Sequence, residues 1–426
     1  MSLFIIFMSQ NFILHIDMNS YFASVEQQAN PFLRGKSVGV CAYKSPRGCI
    51  IASSKEAKKK GVTTGMRVVD ARVLCPEIIL IENEPIKYRS TTNKIFSIFS
   101  DYTDKIEPYS IDEAFMDLSG YATTYAEAVS IGKEMQGRVL KEVGGWLTCS
   151  VGVSYTRWLA KFASDMAEKG SVNIITKYNL EDKLGEADLM DAWGINVRLA
   201  YRLQKLGISD LIELKHYHPQ NLIQALGKTG YFLWANVNGI SIEGVKYAEE
   251  RKPKSIGHSY CLPKKTTDHS YLDPILMKLC TRTGRRLREK GLEAKGISMS
   301  WSYEQGGYVQ KHKKIDDTIF ETTMIYNYAR NIFHETPLPD KIRMLAISVF
   351  GLRKISNQMS FFDDRLKKRA VSEAMDNINN IYGEQIVFHG AMWGTGKNAL
   401  ERIGFRKTLE PIWRGRNEIE YISDDV

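Results

Sequence analysis

Two carboxylates stand side by side in the string Ser110-Ile111-Asp112-Glu113-Ala114-Phe115-Met116-Asp117 of this 426-residue chain. On a regular strand, neighbouring side chains point to opposite faces. Asp112 and Glu113 can therefore share one site only if the chain bends there, between two strands. A third carboxylate, Asp17, closes the run from Asn11 to Ile16, which reads as a buried strand. The end of that strand can converge on the bend. Three such carboxylates are hard oxygen donors suited to Mg2+, which keeps waters and substrate phosphates in its remaining positions. Two such ions about 4 Å apart can activate an attacking 3′-hydroxyl and stabilise a pyrophosphate leaving group. Asp117 reads instead as a solvated strand end.

The elements that must hold these groups lie on either side. Asn19 or Ser20 can cap a helix running to about Gln28, broken by Pro31 and Gly35. Val38–Ala42 and Cys49–Ser53 read as short strands around the turn Lys44–Gly48. A Lys-rich helix over Ser54–Lys60 stops at Gly61. A long amphipathic helix over 85–101 places Ile95, Phe96 and Phe99 on one face. Strands at Lys105–Tyr109 and Ala114–Leu118, a helix at 124–143, a strand at Thr148–Ser154 and a helix at 157–168 follow. The order strand–helix–strand–strand–helix–strand is that of a ferredoxin-like sheet, with a small insertion near 35–80. Residues 180–243 read as helical, the charged stretch with Pro253 as a linker, and 255–355 as alternating strands and helices. The last 70 or so residues read as an appended, partly ordered tail. The fold class is α+β.

Hydrophobic residues make up 43% and charged residues 25%, which sets disorder aside and allows sizeable cores. The length suits two to four domains. A net charge of +9 favours an anionic partner, nucleic acid first. Six cysteines without C-x-x-C spacing offer no zinc knuckle or redox motif and read as buried thiols in a reducing cytosol. The apolar stretch Leu3–Met8 is far too short to span a bilayer. The string Trp393-Gly394-Thr395-Gly396-Lys397-Asn398 is not a P-loop: its first glycine is out of register and Asn398 stands where Ser or Thr belongs.

The stretch from Ile16 to Glu26 (Ile16-Asp17-Met18-Asn19-Ser20-Tyr21-Phe22-Ala23-Ser24-Val25-Glu26) and the stretch Tyr109–Asp117 resemble the two catalytic motifs of the Y-family DNA polymerases. These are translesion enzymes of the bacterial DNA polymerase IV and V kind. The resemblance runs from about residue 11 to 362. It implies a palm (11–32 and 81–170), fingers (33–80), a helix–hairpin–helix thumb (171–245), a linker (246–254), an α+β little finger (255–355) and a C-terminal tail (356–426). It makes Asp17, Asp112 and Glu113, with the Met18 carbonyl, ligands of two Mg2+ ions. Phe22 takes the place of the steric gate that excludes a ribose 2′-hydroxyl. Tyr21, Phe22, Lys55, Lys58 and Lys161 fall where the family binds the triphosphate. Most polymerase IV-like relatives carry Tyr and Arg at the positions of Lys55 and Lys58, so the planar guanidinium fork is lost here. Cys49 and Ile51 would roof the nascent base pair.

Residues Ala192 to Gly207 resemble a helix–hairpin–helix, with Gly194 at the turn and free helix N–H groups for a DNA phosphate. Arg282, Arg285, Arg286 and Arg288 share one predicted helix and read as a solvated face. Gln358-Met359-Ser360-Phe361-Phe362 resembles the peptide that docks bacterial polymerases on the sliding clamp. The implied protein is a cytoplasmic monomer that extends primer–template DNA with dNTPs at low fidelity, without a proofreading exonuclease. A non-catalytic accessory relative that binds DNA and the clamp is the alternative, but such relatives lack the metal carboxylates. A nucleotide cyclase would need neither the hairpin turn, the gripping domain nor the clamp peptide.

Overall fold

The computed structural model describes residues 11–46, 48–246, 253–355, 365–383, 385–396 and 399. They form two compact units, one on each side of residues 247–252. The first begins with β1 (Ile13–Met18) and α1 (Tyr21–Ala29). A small domain follows: β2 (Val38–Cys41), β3 (Ile50–Ser53), α2 (Lys55–Lys59), α3 (Val68–Leu74) and β4 (Ile79–Glu82). Then come α4 (Pro85–Phe99), β5 (Ile106–Pro108), β6 (Glu113–Asp117), α5 (Tyr125–Arg138), β7 (Cys149–Ser154), α6 (Arg157–Met166) and β8 (Val172–Ile174).

The main sheet has the order β5-β6-β1-β7-β8. Its first four strands and helices α4 and α5 make the βαββαβ ferredoxin-like arrangement. Alternation along β1 divides its work between two faces. Leu14, Ile16 and Met18 join Phe96, Phe99 and Met135 in the main core. Ile13 packs with Phe115 and Ala160 on the other face, so His15 and Asp17 lie on the α6 side. On β7, Gly152 sits opposite His15. A Cβ there would stand 2.0 Å from the Ala160 carbonyl oxygen and 2.3 Å from the Ser164 nitrogen. Glycine lets α6 rest directly on the sheet.

Two boundaries differ from expectation. The sheet continues past residue 170, because β8 pairs in parallel with β7. Three residues are too few to show a period. The small sheet continues past residue 80, because β4 pairs in parallel with β2 through Glu82.

Among the described residues, five α-helices follow in this unit: α7 (Leu180–Gly185), α8 (Val197–Gln204), α9 (Leu211–His216), α10 (Pro219–Leu226) and α11 (Lys228–Val237). Gly194 has φ +103°, a value costly for other residues. Asn196 then caps α8 by accepting the Leu199 N–H at 3.0 Å. Trp158 and Phe162 of α6 belong to the core of these helices. Arg157 ties the helices to the sheet: it pairs with buried Glu107 at 2.6 Å and lies over the rings of Phe115 and Trp193.

The second unit runs β9 (Ser255–Thr266), α12 (His269–Glu289), β10 (Leu292–Tyr303), β11 (Tyr308–Ile319), α13 (Thr322–His334), β12 (Ile342–Phe350), β13 (Arg353–Lys354) and α14 (Arg365–Tyr382). Its sheet has the order β11-β10-β12-β9. The described part of the C-terminal segment, between residues 365 and 396, is no loose appendage. Asp376 of α14 pairs with Arg288 at 2.6 Å, and fully buried Lys278 donates to the Thr395 carbonyl at 3.0 Å. The arginines of α12 therefore do not form the expected solvated face. Arg282 and Arg286 approach His258, and Arg285 bonds Glu289 and Asn380. The expected clamp peptide, Gln358 to Phe362, lies outside the described residues. Among the described residues, no helix is long and apolar enough to cross a membrane.

Candidate active site

Asp17 and Glu113 face each other across β1 and β6. Asp112 precedes β6 in a bend, and its carbonyl accepts the Met18 N–H at 2.9 Å. The bend is tied from both sides. Tyr109 and Ser110 donate their N–H groups to the Glu113 carbonyl, and the Ser110 hydroxyl donates to the Asp112 carboxylate. From α4, Thr92 donates to the Ile111 carbonyl at 2.6 Å. All three carboxylates thus meet at one place on the sheet.

Their protonation differs. Burial, then the neighbouring Asp112 charge, pushes the Asp17 carboxyl up to about 7. Burial also raises Asp112, against the hydrogen bond from Ser110. Two buried, mutually repelling acids are a donor set short of positive charge, and their hard oxygens fit a divalent cation such as Mg2+. Burial would raise Glu113 as well, but the hydrogen bond from His15 and the Lys161 ammonium bring it down to about 2. His15 Nε2 lies 3.2 Å from Glu113 Oε2, and its Nδ1 lies 2.6 Å from the Ser164 hydroxyl. Burial foremost drops His15 to about 4. The ring is therefore neutral at pH 7 and donates Nε2–H to the ionised Glu113.

The expected cations separate. Lys161 Nζ sits 3.0 Å from Glu113 and 3.1 Å from Asp165. Lys58 is exposed on α2, and its ammonium is lowered by partial desolvation and then by Lys169, while Asp17 opposes the shift. Lys55 instead reaches Thr148 Oγ1 at 3.5 Å. Phe22 packs its ring 4.6 Å from Tyr88. The Tyr21 side chain is not available to a ligand: it is 2% exposed and its hydroxyl donates to the Tyr88 carbonyl at 2.8 Å. That leaves its backbone N–H, in the first turn of α1. Ile51 is buried in the main core, while Cys49 is half-exposed with its thiol 3.2 Å from the Gly65 carbonyl. His15, Ser164, Asp165 and Lys169 escaped the sequence analysis. Asp165 could have been found, since it lies four residues beyond Lys161 on one helix face.

A ferredoxin-like sheet with this carboxylate bend, a small inserted domain and a helical domain with a hairpin turn defines the Y-family class of DNA polymerase. The fold matches a solved Y-family DNA polymerase chimera, Dbh-Dpo4(243-245)-Dbh, with a TM-score of 0.73 and 25% identity over 81% of this chain and 100% of the other. An insertion ternary complex of Dbh DNA polymerase matches at 0.56, with the same identity and coverage. DNA polymerase IV of Pelotomaculum thermopropionicum is 31% identical over 93% of this chain and 98% of its own length. DNA polymerase IV 2 of Bacillus subtilis is 29% identical over 93% of this chain and 98% of its own. Residues 16–165 match the impB/mucB/samB family and residues 253–361 match that family's C-terminal domain. The chain belongs to the impB/mucB/samB family and is a DNA-directed DNA polymerase of the polymerase IV kind.

Proposed function

We propose that this polymerase carries out low-fidelity translesion synthesis, adding dNTPs to a primer 3′-hydroxyl with release of pyrophosphate. The carrying observation is the convergence of Asp17, Asp112 and Glu113, with Asp17 and Asp112 both raised above the usual carboxylate range. Asp17, Asp112, Glu113 and the Met18 carbonyl would hold two Mg2+ ions. When bound, these ions activate the attacking hydroxyl and stabilise the pyrophosphate. The chain's own groups do the rest. His15 and Lys161 keep Glu113 ionised. The first-turn N–H groups of α1 and the ammonium of Lys58 face the anionic triphosphate, with Lys161 behind the carboxylates. Phe22 screens the sugar.

The proposed activity includes no proofreading exonuclease. The peptide Gln358–Phe362 remains the proposed contact with the sliding clamp. The accessory-protein alternative is disfavoured because all three carboxylates are present and grouped. Primer extension in Mg2+ tests the proposal: Asp112→Asn combined with Glu113→Gln should abolish it, and equal extension by the wild type and this variant would sink it.

A further inference from the structure

The second unit carries a titratable cluster with no place in the polymerase mechanism. His269 and Asp273 stand one turn apart at the start of α12, and His334 ends α13. One ligand atom from each lies within 4.8 Å of the other two. His334 Nε2 is 2.8 Å from Asp273 Oδ1 and 2.9 Å from Oδ2. The imidazoles of His269 and His334 lie with centroids 4.1 Å apart. His269 Nδ1 is buried and has no hydrogen-bond partner among the described residues, which leaves a polar atom uncompensated.

We infer that His269, Asp273 and His334 bind a first-row divalent cation, with Zn2+ the best match. Two imidazoles and one carboxylate suit Zn2+ and its borderline neighbours better than Mg2+ or Ca2+, which prefer oxygen. Tetrahedral zinc with bonds of about 2.1 Å needs donors about 3.4 Å apart. The three ligand atoms lie within 4.8 Å of one another, and the His334–Asp273 hydrogen bond would open to let the ion in between. Three protein ligands leave a fourth position for water. The site is braced from behind: His269 stands edge-on to Phe333 at 5.0 Å, and Phe333 stands edge-on to Trp301 at 5.3 Å. Supporting contacts of this kind fix the orientation of a ligating ring. The bound ion would pin the start of α12 to the end of α13.

One group opposes it. Arg330 donates to Asp273 Oδ2 at 2.9 Å, so its guanidinium competes with the cation for that carboxylate. This makes the site testable in both directions. Zn2+ is titrated calorimetrically into the full-length, untagged protein with millimolar Mg2+ present to fill the polymerase site. The wild type should take one more equivalent than His269→Ala or His334→Ala, or bind it at least tenfold more tightly. Arg330→Gln should bind Zn2+ several-fold more tightly than the wild type. That gain would not follow from damage to the fold, so it decides the case if a histidine variant fails to fold. Identical zinc stoichiometry and affinity in wild type and histidine variants would overturn the assignment. So would an Arg330→Gln protein that binds Zn2+ no better than the wild type.

Discussion

Phe22 is 7% exposed and its ring rests on Tyr88, so the core, not a ligand, fixes its position. A rigid ring there can reject one extra hydroxyl by contact alone. Phe22→Ala should raise ribonucleotide incorporation relative to deoxyribonucleotide by on the order of tenfold to a hundredfold, measured by single-nucleotide insertion with matched dNTP and NTP. The variant should also lose about 3 kcal/mol of stability, so folding must be checked by melting first. Unchanged sugar discrimination in a folded variant removes the gate assignment. At this scale the legibility of the site is uneven. The pairing of Asp112 with Glu113 was legible because adjacent acids can share one site only at a bend. His15 was not, because one histidine in an apolar strand has the pattern of core. Its role depends on Glu113, 98 positions away along the chain, and no local spacing reports that. The direction of the Tyr21 hydroxyl was equally hidden, since the same residue type at the start of a helix can point in or out.

Elements of eight or more residues were the most legible, since hydrophobic period defines them: α4 and α6 fall close to where the pattern put them. β8 and β4 were hidden, because each takes its identity from the strand it pairs with rather than from its own pattern. The contact between β7 and α6 was hidden too. Gly152 looks like an unfavourable residue in a strand, yet it is what lets α6 carry Lys161 and Ser164 down to Glu113 and His15. Gly152→Ala places a methyl against two backbone atoms of α6, and backbone cannot rotate away. The variant should lose about 3 kcal/mol, read as a lower urea midpoint. Primer extension by the fraction still folded should fall as well, because the helix moves with its lysine. Full activity in a variant of unchanged stability would show that α6 does not depend on this close approach.

At the scale of the whole molecule, the division into two units was legible from a charged, proline-bearing stretch, but the partnership of the C-terminal segment was not. Arg282, Arg285, Arg286 and Arg288 have the composition of a wet face, and only the fold shows α14 meeting them. The Arg288 side chain is 6% exposed and also donates to the Phe320 carbonyl at 2.9 Å. Asp376→Ala would leave its guanidinium buried without a counter-charge, at a cost of about 3 kcal/mol. Replacing both partners with apolar residues (Arg288→Met with Asp376→Leu) should recover most of that loss in the urea midpoint. The same helix creates a pH dependence. His258 of β9 is pushed down to about 3 by burial first, then by Arg282 and Arg286 facing it from α12. Its ring is neutral in the native unit but takes a proton in the unfolded chain below the ordinary histidine value of about 6.5. The unfolded state therefore binds more protons between those two values, and stability rises with pH across that window. The contribution is complete above about 6.5 and is lost as the pH falls toward 3. His269 and His389 are shifted in the same direction, so some acid sensitivity will survive without His258. His258→Gln keeps an acceptor for Arg282 and cannot titrate. It should show a smaller drop in melting temperature between pH 7.5 and pH 5 than the wild type. An equal drop in both proteins would mean that His258 is already free to protonate in the folded unit.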